Sequence, residues 1–540
     1  MFKVPLASWK LAVPAATIAA CLSTMWPVAS SARSVPSHSS ARAPLVVDIA
    51  QAPATLDPAN AAGLSDVAIL YNTYVRLTQY GSKPGPDGTT QIDPSHIVPY
   101  FAKSIHVSKN GLVYTFDLPK GATFPDGKPE DAAAVKYSFD RLIGLGLVGQ
   151  YFLEDGIYTP PLVQGIATPT STTVVIRLSQ PDANFLQDLA QGACSIVEPS
   201  VVQAHGGYQH GKINTWMASH VAGSGPFLLQ SYQPNSQAVL IANPHFSGTA
   251  PASSKIIVNF INSDATLLLQ ARSGSADVTL GMSKQSVHSL TGNQNVRIIA
   301  NTTTDSEQIG LPNSRPPFNN VKLREALTYA VPYQQILDKV AYGYGSLFYG
   351  PFPPALPAFN RRLEQPRPFD LTRAQALVKS SGVATPLTVS MDIPEGNPIE
   401  EQIATIVQGI WRELGINVVI QRLSESDYTN AIESHKAQSY IRYDGPGVID
   451  AGYFLAYDLP CKISFNLTEV CIPQAEKLLG MARRTVNQAK RQSLYDQITR
   501  LWVADSPKIQ VYADKYTAVI GKNVKGYHYS HLLDLRTWSK

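Results

Sequence analysis

The stretch that decides the fold is GLVYTFDLPKGATFPDGKPEDAAAVKYSFDRL, residues 111–142. Residues 112–118 alternate large apolar side chains with smaller or polar ones, which predicts a strand buried on one face. The sequence PDGK that follows is typical of a turn. A proline and two acidic residues then open an amphipathic helix, because acids stabilise the positive end of a helix. The core stripe predicted for this helix is Ala132, Val135, Phe139 and Leu142.

Strands and helices continue to alternate outward from this stretch. Strands are predicted at 45–49, 227–232, 238–242, 255–261 and 416–420, and helices at 264–272 and 403–414. Such alternation indicates α/β domains with mixed sheets. Residues 81–95 are rich in Gly, Pro and Asp and are therefore predicted to form a loop.

The N-terminus has the pattern of an export signal. Two lysines precede a short apolar run and small residues, so residues 1–32 are predicted to be a signal peptide and 33–43 a tether. Two exits are open. Cleavage near residues 29–32 would give a soluble product, whereas the string Ile18-Ala19-Ala20-Cys21 would give a protein lipidated at Cys21.

The charge of the chain separates the leader from the rest. The whole sequence has 44 basic and 40 acidic residues, and four of the bases precede Pro44 without any acid. Removing those four leaves 40 bases and 40 acids, so the globular part is formally neutral. A neutral body without a basic stripe argues against nucleic-acid binding through phosphates.

The cysteines agree with export. Cys461 and Cys471 lie ten residues apart in a loop-like stretch, and in an oxidising compartment such a pair is predicted to form a disulfide. Cys194 remains as a buried, apolar thiol.

Motifs for catalysis or cofactors are absent from the sequence. GLGLVG at 144–149 matches a dinucleotide fingerprint, but a helix rather than a strand precedes it, which favours a helix-terminating loop. The chain has no GxxxxGK[ST], GxSxG, HExxH or CxxC string. His205, His210 and His220 are typical of solvated loop side chains rather than a metal cluster. No catalytic residue, metal site or cofactor is therefore predicted.

Several short strings recur in a specific order along the chain. They are Thr55-Leu56-Asp57-Pro58, VPYFA at 98–102, GLVYTFDL at 111–118, FPDGKP at 124–129, GSGPF at 223–227 and LREAL at 323–327. Their order and spacing resemble the family-5 extracellular solute-binding proteins of ABC importers, the dipeptide, oligopeptide and nickel group. The resemblance runs from about Leu45 to the C-terminus.

This resemblance implies an α/β, two-lobed periplasmic-binding-protein-like (type II) fold with an extra domain, mixed sheets and a hinge between the lobes. The implied division is domain I at 44–80, 218–305 and 508–540, domain II at 81–217 and domain III at 306–507. The implied function is capture of a peptide or similar small solute by lobe closure, and delivery to membrane permease subunits, by a monomer that is not an enzyme.

The resemblance also implies ligand-binding residues. Peptide-binding relatives pair the ligand's amino group with an Asp in a Trp-x-x-Asp segment, and the matching stretch here begins at Tyr440 and carries Asp444. Extra residues before Phe454 make Asp450 a competing candidate. Dipeptide-binding relatives hold the ligand carboxylate with an Arg that is missing from residues 389–398, so Arg442 is a candidate replacement, or the solute is not a dipeptide.

Two other classes of function stay open at this point. A secreted hydrolase, such as a peptidase, would use the same kind of cleft and would need a triad or a metal site. A chaperone or receptor on the same fold would bind a protein rather than a small solute.

Overall fold

The computed structural model describes residues 43–61, 64–154 and 161–540. Its strands are β1 Leu45–Ile49, β2 Thr78–Pro84, β3 Thr90–Pro99, β4 Ser104–Val107, β5 Val113–Asp117, β6 Val163–Thr170, β7 Thr173–Leu178, β8 Phe227–Gln233, β9 Gln237–Ala242, β10 Lys255–Phe260, β11 Val278–Leu280, β12 Val296–Gly310, β13 Gly345–Ser346, β14 Leu387–Pro394, β15 Ile416–Leu423, β16 Tyr440–Asp444, β17 Lys508–Gly521 and β18 His528–Tyr529. Its helices are α1 Leu64–Thr73, α2 Ala132–Leu145, α3 Gln150–Glu154, α4 Phe185–Asp188, α5 Pro199–Ala204, α6 Asp264–Ser273, α7 Lys284–Ser289, α8 Val321–Tyr329, α9 Tyr333–Lys339, α10 Leu371–Ser381, α11 Pro398–Arg412, α12 Glu425–Glu433, α13 Ala451–Ala456, α14 Pro473–Arg483 and α15 Gln488–Asp505.

The stretch at 111–142 folds as the sequence predicts. Strand β5 buries Tyr114 and Phe116, and the predicted stripe of α2 is buried along its length. Asp131 caps this helix by accepting hydrogen bonds from the backbone N–H groups of two residues in its first turn. The helix ends at Gly146, whose φ of 65° is left-handed, so the prediction of a helix-terminating loop at 144–149 is confirmed.

The largest sheet is mixed and follows the order β15-β14-β16-β12-β17-β11-β1-β10-β9-β8, with β13 also paired to β17. Parallel pairs such as β1 with β10 and β14 with β15 occur beside antiparallel pairs. A second sheet has the order β18-β3-β2 and a third β4-β5-β7-β6. This arrangement confirms the predicted α/β class with mixed sheets.

Two long antiparallel strands, β12 and β17, run through the middle of the large sheet. The first part of β12 and the last part of β17 lie on the side of β11, and their other parts lie on the side of β16. The register of the pair shifts between Thr302 and Ser306, and again after Glu307. These strands therefore connect the two halves of the sheet, and a bulge interrupts them at the crossing.

The prediction of a loop at 81–95 was wrong. Strands β2 and β3 pair across this segment and form an antiparallel hairpin. Asp87 and Gly88 at its tip have φ of 51° and 69°, and such left-handed conformations suit a tight turn. Arg297 on β12 donates to the Asp87 carboxylate at 3.0 Å. Gly and Pro predict a loop, but Pro86 and Gly88 lie in the turn and Pro94 lies at the register shift between Asp93 and Ile97, where a strand tolerates proline.

The string Thr55-Leu56-Asp57-Pro58 supports a buried ion pair. Asp57 is fully buried and caps the short 3-10 helix Pro58–Asn60. Arg141 on α2 donates to both carboxylate oxygens of Asp57, at 2.9 and 2.6 Å. The pair joins the N-terminal region to α2, which explains structurally why an acid stands in this string.

The glycines of the string GSGPF lie against the end of α1. A Cβ on Gly225 would meet the backbone of Thr73 and Tyr74 at 2.5 Å, and the Gly225 N–H donates to the Thr73 carbonyl at 3.0 Å. Ser224 donates its hydroxyl to Glu130, which precedes α2. Close backbone approach, and not left-handed φ, is the reason for these glycines.

The hydrophobic residues form separate cores. One core joins β1, β10 and the C-terminal segment, a second surrounds α8 and α11, and a third lies between α2 and the sheet that contains β5. A fourth core brings together residues from distant parts of the chain, including Tyr71, Ala190 and Trp502. The predicted division into three domains stays a prediction.

The described residues contain a disulfide and a free cysteine. Cys461 and Cys471 form a disulfide, and Cys194 is a buried free thiol. The predicted signal peptide, Cys21 and the tether up to residue 42 lie outside the described residues. Among the helices of the described residues, none is long and apolar enough to cross a membrane.

Candidate functional site

A cavity of about 410 Å³ lies at the bulge of the crossing strands. Its walls come from the β2–β3 hairpin, from residues 302–305 of β12, from segments that follow β13 and β16, and from the C-terminal segment around β18. A cavity of this size is within the range for small-molecule sites. A surface groove of about 430 Å³ follows the edge strand β8, but none of its lining residues comes from the crossing strands or from the β18-β3-β2 sheet.

The bulge of β12 supplies the floor of this cavity. Thr303, Thr304 and Asp305 fall between two parts of the β12–β17 ladder, so their side chains are not held to the alternation of a regular strand. Thr303 donates its hydroxyl to the Asp514 carbonyl at 3.0 Å and accepts from the Asp305 N–H at 3.1 Å. These bonds fix the irregular backbone, and Asp305 lines the cavity.

The surroundings of Asp305 destabilise the charged form of its carboxyl group. Burial raises the pKa of Asp305 to about 7, and the nearby carboxylates of Asp514 and Asp444 add to this effect. Tyr443 donates its hydroxyl to Asp305 Oδ2 at 3.1 Å, which lowers the same pKa in part. Within the described residues, no cation forms a salt bridge with Asp305.

An imidazole forms another part of the wall. The His531 ring lies edge-on to Tyr80 with centroids 5.9 Å apart. Neither ring nitrogen of His531 has a hydrogen-bond partner among the described residues. Burial lowers the pKa of His531 to about 4, so the ring is neutral at physiological pH.

Lys83 and Arg361 supply positive charge to the cavity wall. Lys83 Nζ lies 4.0 Å from an Asp93 oxygen, a long and exposed pair. Arg361 is exposed and forms no salt bridge with another described residue. A guanidinium in this state is free to take a carboxylate in a bidentate contact.

The structure brings Asp444 and Arg442 together on β16. Arg442 Nη2 lies 3.0 Å from Asp444 Oδ1, and Gln308 Nε2 donates to Asp444 Oδ2 at 3.1 Å. Both predicted residues are therefore occupied by each other or by β12. The cavity wall instead uses Pro446 and Ile449 of the same segment.

Tyr440 and Asp450 have other contacts. Tyr440 is buried against Gly310, where there is no room for a side chain. Asp450 is 5% exposed, caps α13 through the N–H groups of Gly452 and Tyr453, and pairs with Arg491 at 2.8 Å. Neither residue lines the cavity, and a part for either in ligand binding stays a prediction.

The sequence reasoning missed the residues that do line the cavity. A signal existed for Asp305, because the polar run TTTDSEQ at 302–308 interrupts a segment that continues as a strand on both sides. For Arg361 and His531 no local pattern pointed to a site. The described residues contain no group of three or more His, Cys, Asp or Glu side chains that could hold a metal ion.

Known proteins are similar in sequence to this chain over most of its length. The chain is 29% identical over 477 residues to the probable D,D-dipeptide-binding periplasmic protein DdpA of Escherichia coli (strain K12), covering 87% of this chain and 88% of that protein. It is 25% identical over 485 residues to heme-binding protein A of Haemophilus influenzae, covering 86% of each.

A solved structure shows the same fold. The ABC transporter-associated periplasmic binding protein DppA from Helicobacter pylori, in complex with peptide STSA, superposes with a TM-score of 0.75 at 21% identity, covering 92% of this chain and 98% of that one. The predicted periplasmic-binding-protein-like fold is thereby confirmed. Residues 96–466 match the model of bacterial extracellular solute-binding proteins, family 5 Middle. The chain belongs to family 5 of the bacterial extracellular solute-binding proteins.

Proposed function

We propose that this protein is the substrate-binding component of an ABC importer, which captures a peptide or a similar small solute and delivers it to a membrane permease. The observation that carries this proposal is the cavity at the crossing strands, whose walls come from the small β18-β3-β2 sheet on one side and from the β12 bulge and the segments after β13 and β16 on the other. A solute that touches both of these walls stabilises the closed arrangement and shifts the population toward it.

The wall chemistry supports a polar, charged solute. Three consecutive threonines, the Asp305 carboxyl and the His531 ring offer hydrogen-bonding groups, and Lys83 and Arg361 offer positive charge. Arg361 is the guanidinium that could hold a solute carboxylate, since Arg442 is paired with Asp444. A relative named for D,D-dipeptides and a structural neighbour with a bound peptide support the peptide class, and a relative named for heme keeps the class of solutes wider.

The proposal includes capture without chemistry. The family is one of binding proteins, so the solute is expected to leave unchanged. We place the protein outside the cytoplasm after removal of the signal peptide, either soluble or attached through Cys21, and acting as a monomer. Purified protein should leave a peptide library intact; turnover would favour a hydrolase.

The direct test is to identify the solute. Protein purified under native conditions is denatured, and the released small molecules are identified by mass spectrometry. In parallel, peptides, nickel chelates and sugars are screened by thermal shift, where a ligand at a hundred times its dissociation constant adds about 2.7 kcal/mol of stability.

A pair of variants makes the screen specific to the cavity. Thr302 is exposed at the cavity and Thr405 is exposed on α11, away from it. Thr302→Trp should remove the thermal shift by filling the cavity, whereas Thr405→Trp should keep it. A shift that survives Thr302→Trp unchanged, or no shift with any class of solute, would count against the proposed function.

A further inference from the structure

Around the bulge of β12, the described acidic side chains outnumber the basic ones. Asp305 and Glu307 belong to β12, Asp444 to β16 and Asp514 to β17, and Glu400 on α11 lies close to Glu307. The two cations among them are engaged: Lys284 Nζ lies 3.1 Å from Asp514, and Arg442 pairs with Asp444. The described surroundings of Asp305 at the bulge therefore have surplus negative charge, whereas Lys83 and Arg361 add positive charge to the cavity wall.

The carboxyl groups differ in their access to a solute. Glu307 and Glu400 are each 3% exposed and do not line the cavity. Asp444 has Arg442 and Gln308 as partners. Asp305 lines the cavity and has the Tyr443 hydroxyl as a side-chain partner, but no cation among the described residues.

We propose that Asp305 is the specificity-determining residue that anchors a positively charged group of the solute, and that the cargo therefore carries a free ammonium group. The inference rests on the proposed function and on the same cavity. It places the anchor on β12 and leaves Asp444 in its ion pair with Arg442. Tyr443 is a positioning residue, because its hydroxyl orients the carboxyl without lining the cavity.

The pairing gives a reason for closure. Before a solute arrives, the Asp305 carboxyl lies beside other acids in a poorly solvated place, which disfavours its charged form. An ammonium group supplies the missing counter-charge, and the contact is strongest when the lobes exclude water. Binding of a cation and closure are therefore coupled at this residue.

The charged groups around Asp305 set an expected pH dependence. Asp444 and Tyr443 face it from β16 and Asp514 from β17, where Lys284 of α7 neutralises Asp514 in part. Burial keeps the pKa of Tyr443 well above its ordinary value and that of His531 near 4, so both stay neutral near pH 7. Glu307 and Glu400 lie behind the floor, and burial raises the pKa of each, to about 8 for Glu400. A protonated Asp305 cannot pair with an ammonium, so affinity for a cationic solute should fall as the pH drops below about 7.

The test compares two pools of di-, tri- and tetrapeptides without Lys, Arg or His. One pool has free amino termini and the other is N-acetylated. The purified protein is mixed with each pool, and the retained peptides are measured by ultrafiltration and mass spectrometry. The free pool should be retained at least about tenfold better at about pH 7.5, since loss of one partner of a buried charge pair has effects of this size or larger.

Matched variants assign the residue. Asp305→Asn should weaken retention of the free pool by about 30-fold or more, and Asp444→Asn by less than about threefold. Circular dichroism and the melting temperature check that both variants are folded. If Asp305→Asn unfolds, the pH profile of the unmodified protein, with retention lost toward about pH 5.5, decides instead.

The outcomes separate the two proposals. Equal retention of free and acetylated pools would overturn the Asp305 anchor and leave the proposed function standing. Retention of neither pool would overturn peptide capture and the anchor together. A larger loss with Asp444→Asn than with Asp305→Asn would return the anchor to Asp444.

Discussion

The buried pair of Asp57 and Arg141 allows a quantitative test of how the N-terminal region is held to α2. The two side chains are 0% and 2% exposed, and two charge-assisted hydrogen bonds of 2.9 and 2.6 Å join them. At an effective dielectric constant of about 20, unit charges about 3 Å apart attract by about 5 kcal/mol. Asp57→Asn leaves the Arg141 charge buried without its partner, which typically costs about 3–5 kcal/mol.

Urea unfolding followed by circular dichroism measures this cost. The matched control is Asp140→Asn on the same helix, which breaks the pair with Lys136, where both side chains are 41% exposed. The control should cost at most about 0.5 kcal/mol, because exposed pairs on one helix contribute little. A double variant, Asp57→Leu with Arg141→Met, should recover part of the loss, because it removes both buried charges.

The refuting result is equally specific. If Asp57→Asn lowers the free energy of unfolding by less than about 1 kcal/mol, or by no more than the control does, the buried pair contributes no more than an exposed one and does not hold the N-terminal region to α2. If the double variant is less stable than Asp57→Asn, the packing of Arg141 matters more than its charge.

Three further predictions concern stability. Burial raises the pKa of Glu130 to about 8, so the stability due to its protonated form is present below its unfolded pKa and is lost as the pH rises through about 8. The free energy of unfolding of Glu130→Gln should therefore rise relative to that of the unmodified protein by up to about 1.4 kcal/mol per pH unit between about pH 5 and 8. A difference in urea midpoints that does not change with pH would refute this. Gly225→Ala should destabilise the protein by about 1–3 kcal/mol or more, because its Cβ would meet backbone atoms. Gly409→Ala on the exposed face of α11 should instead stabilise it by about 0.5–1 kcal/mol. Thermal melts in which both variants shift the melting temperature in the same direction would contradict this prediction. Cys461→Ser opens the disulfide to Cys471 and should cost about 2–3 kcal/mol of unfolding free energy under oxidising conditions, with no difference from the unmodified protein expected under reducing conditions.

Much of the local structure was accessible from the sequence. The alternation at 112–118 and the spacing of apolar residues in α2 have short periods, and the buried positions follow directly from them. The helix end at Gly146 likewise depends on one residue and its neighbours. The segment at 81–95 shows the limit of this reasoning: its Gly and Pro content is compatible with a loop or a hairpin, and pairing between β2 and β3 decided for the hairpin.

The candidate site was accessible only in part. The sequence pointed to the segment that contains Asp444, and this segment does reach the cavity, but through Pro446 and Ile449. Asp450 carries the same carboxylate as Asp444, yet it caps a helix and pairs with Arg491. Which acid meets a solute depends on partners contributed by distant elements, and no spacing rule contains that information.

The sequence by itself determined the α/β class, the order of the family's strings and the formally neutral body behind a basic leader. These properties depend on composition and on contacts within a few residues. The tertiary structure decided where the cavity lies, because its walls come from β3, the bulge of β12, the segment after β16 and the C-terminal segment, which are far apart in the chain. It also decided the state of Asp305, since burial and neighbouring charges exist only after those segments have packed together.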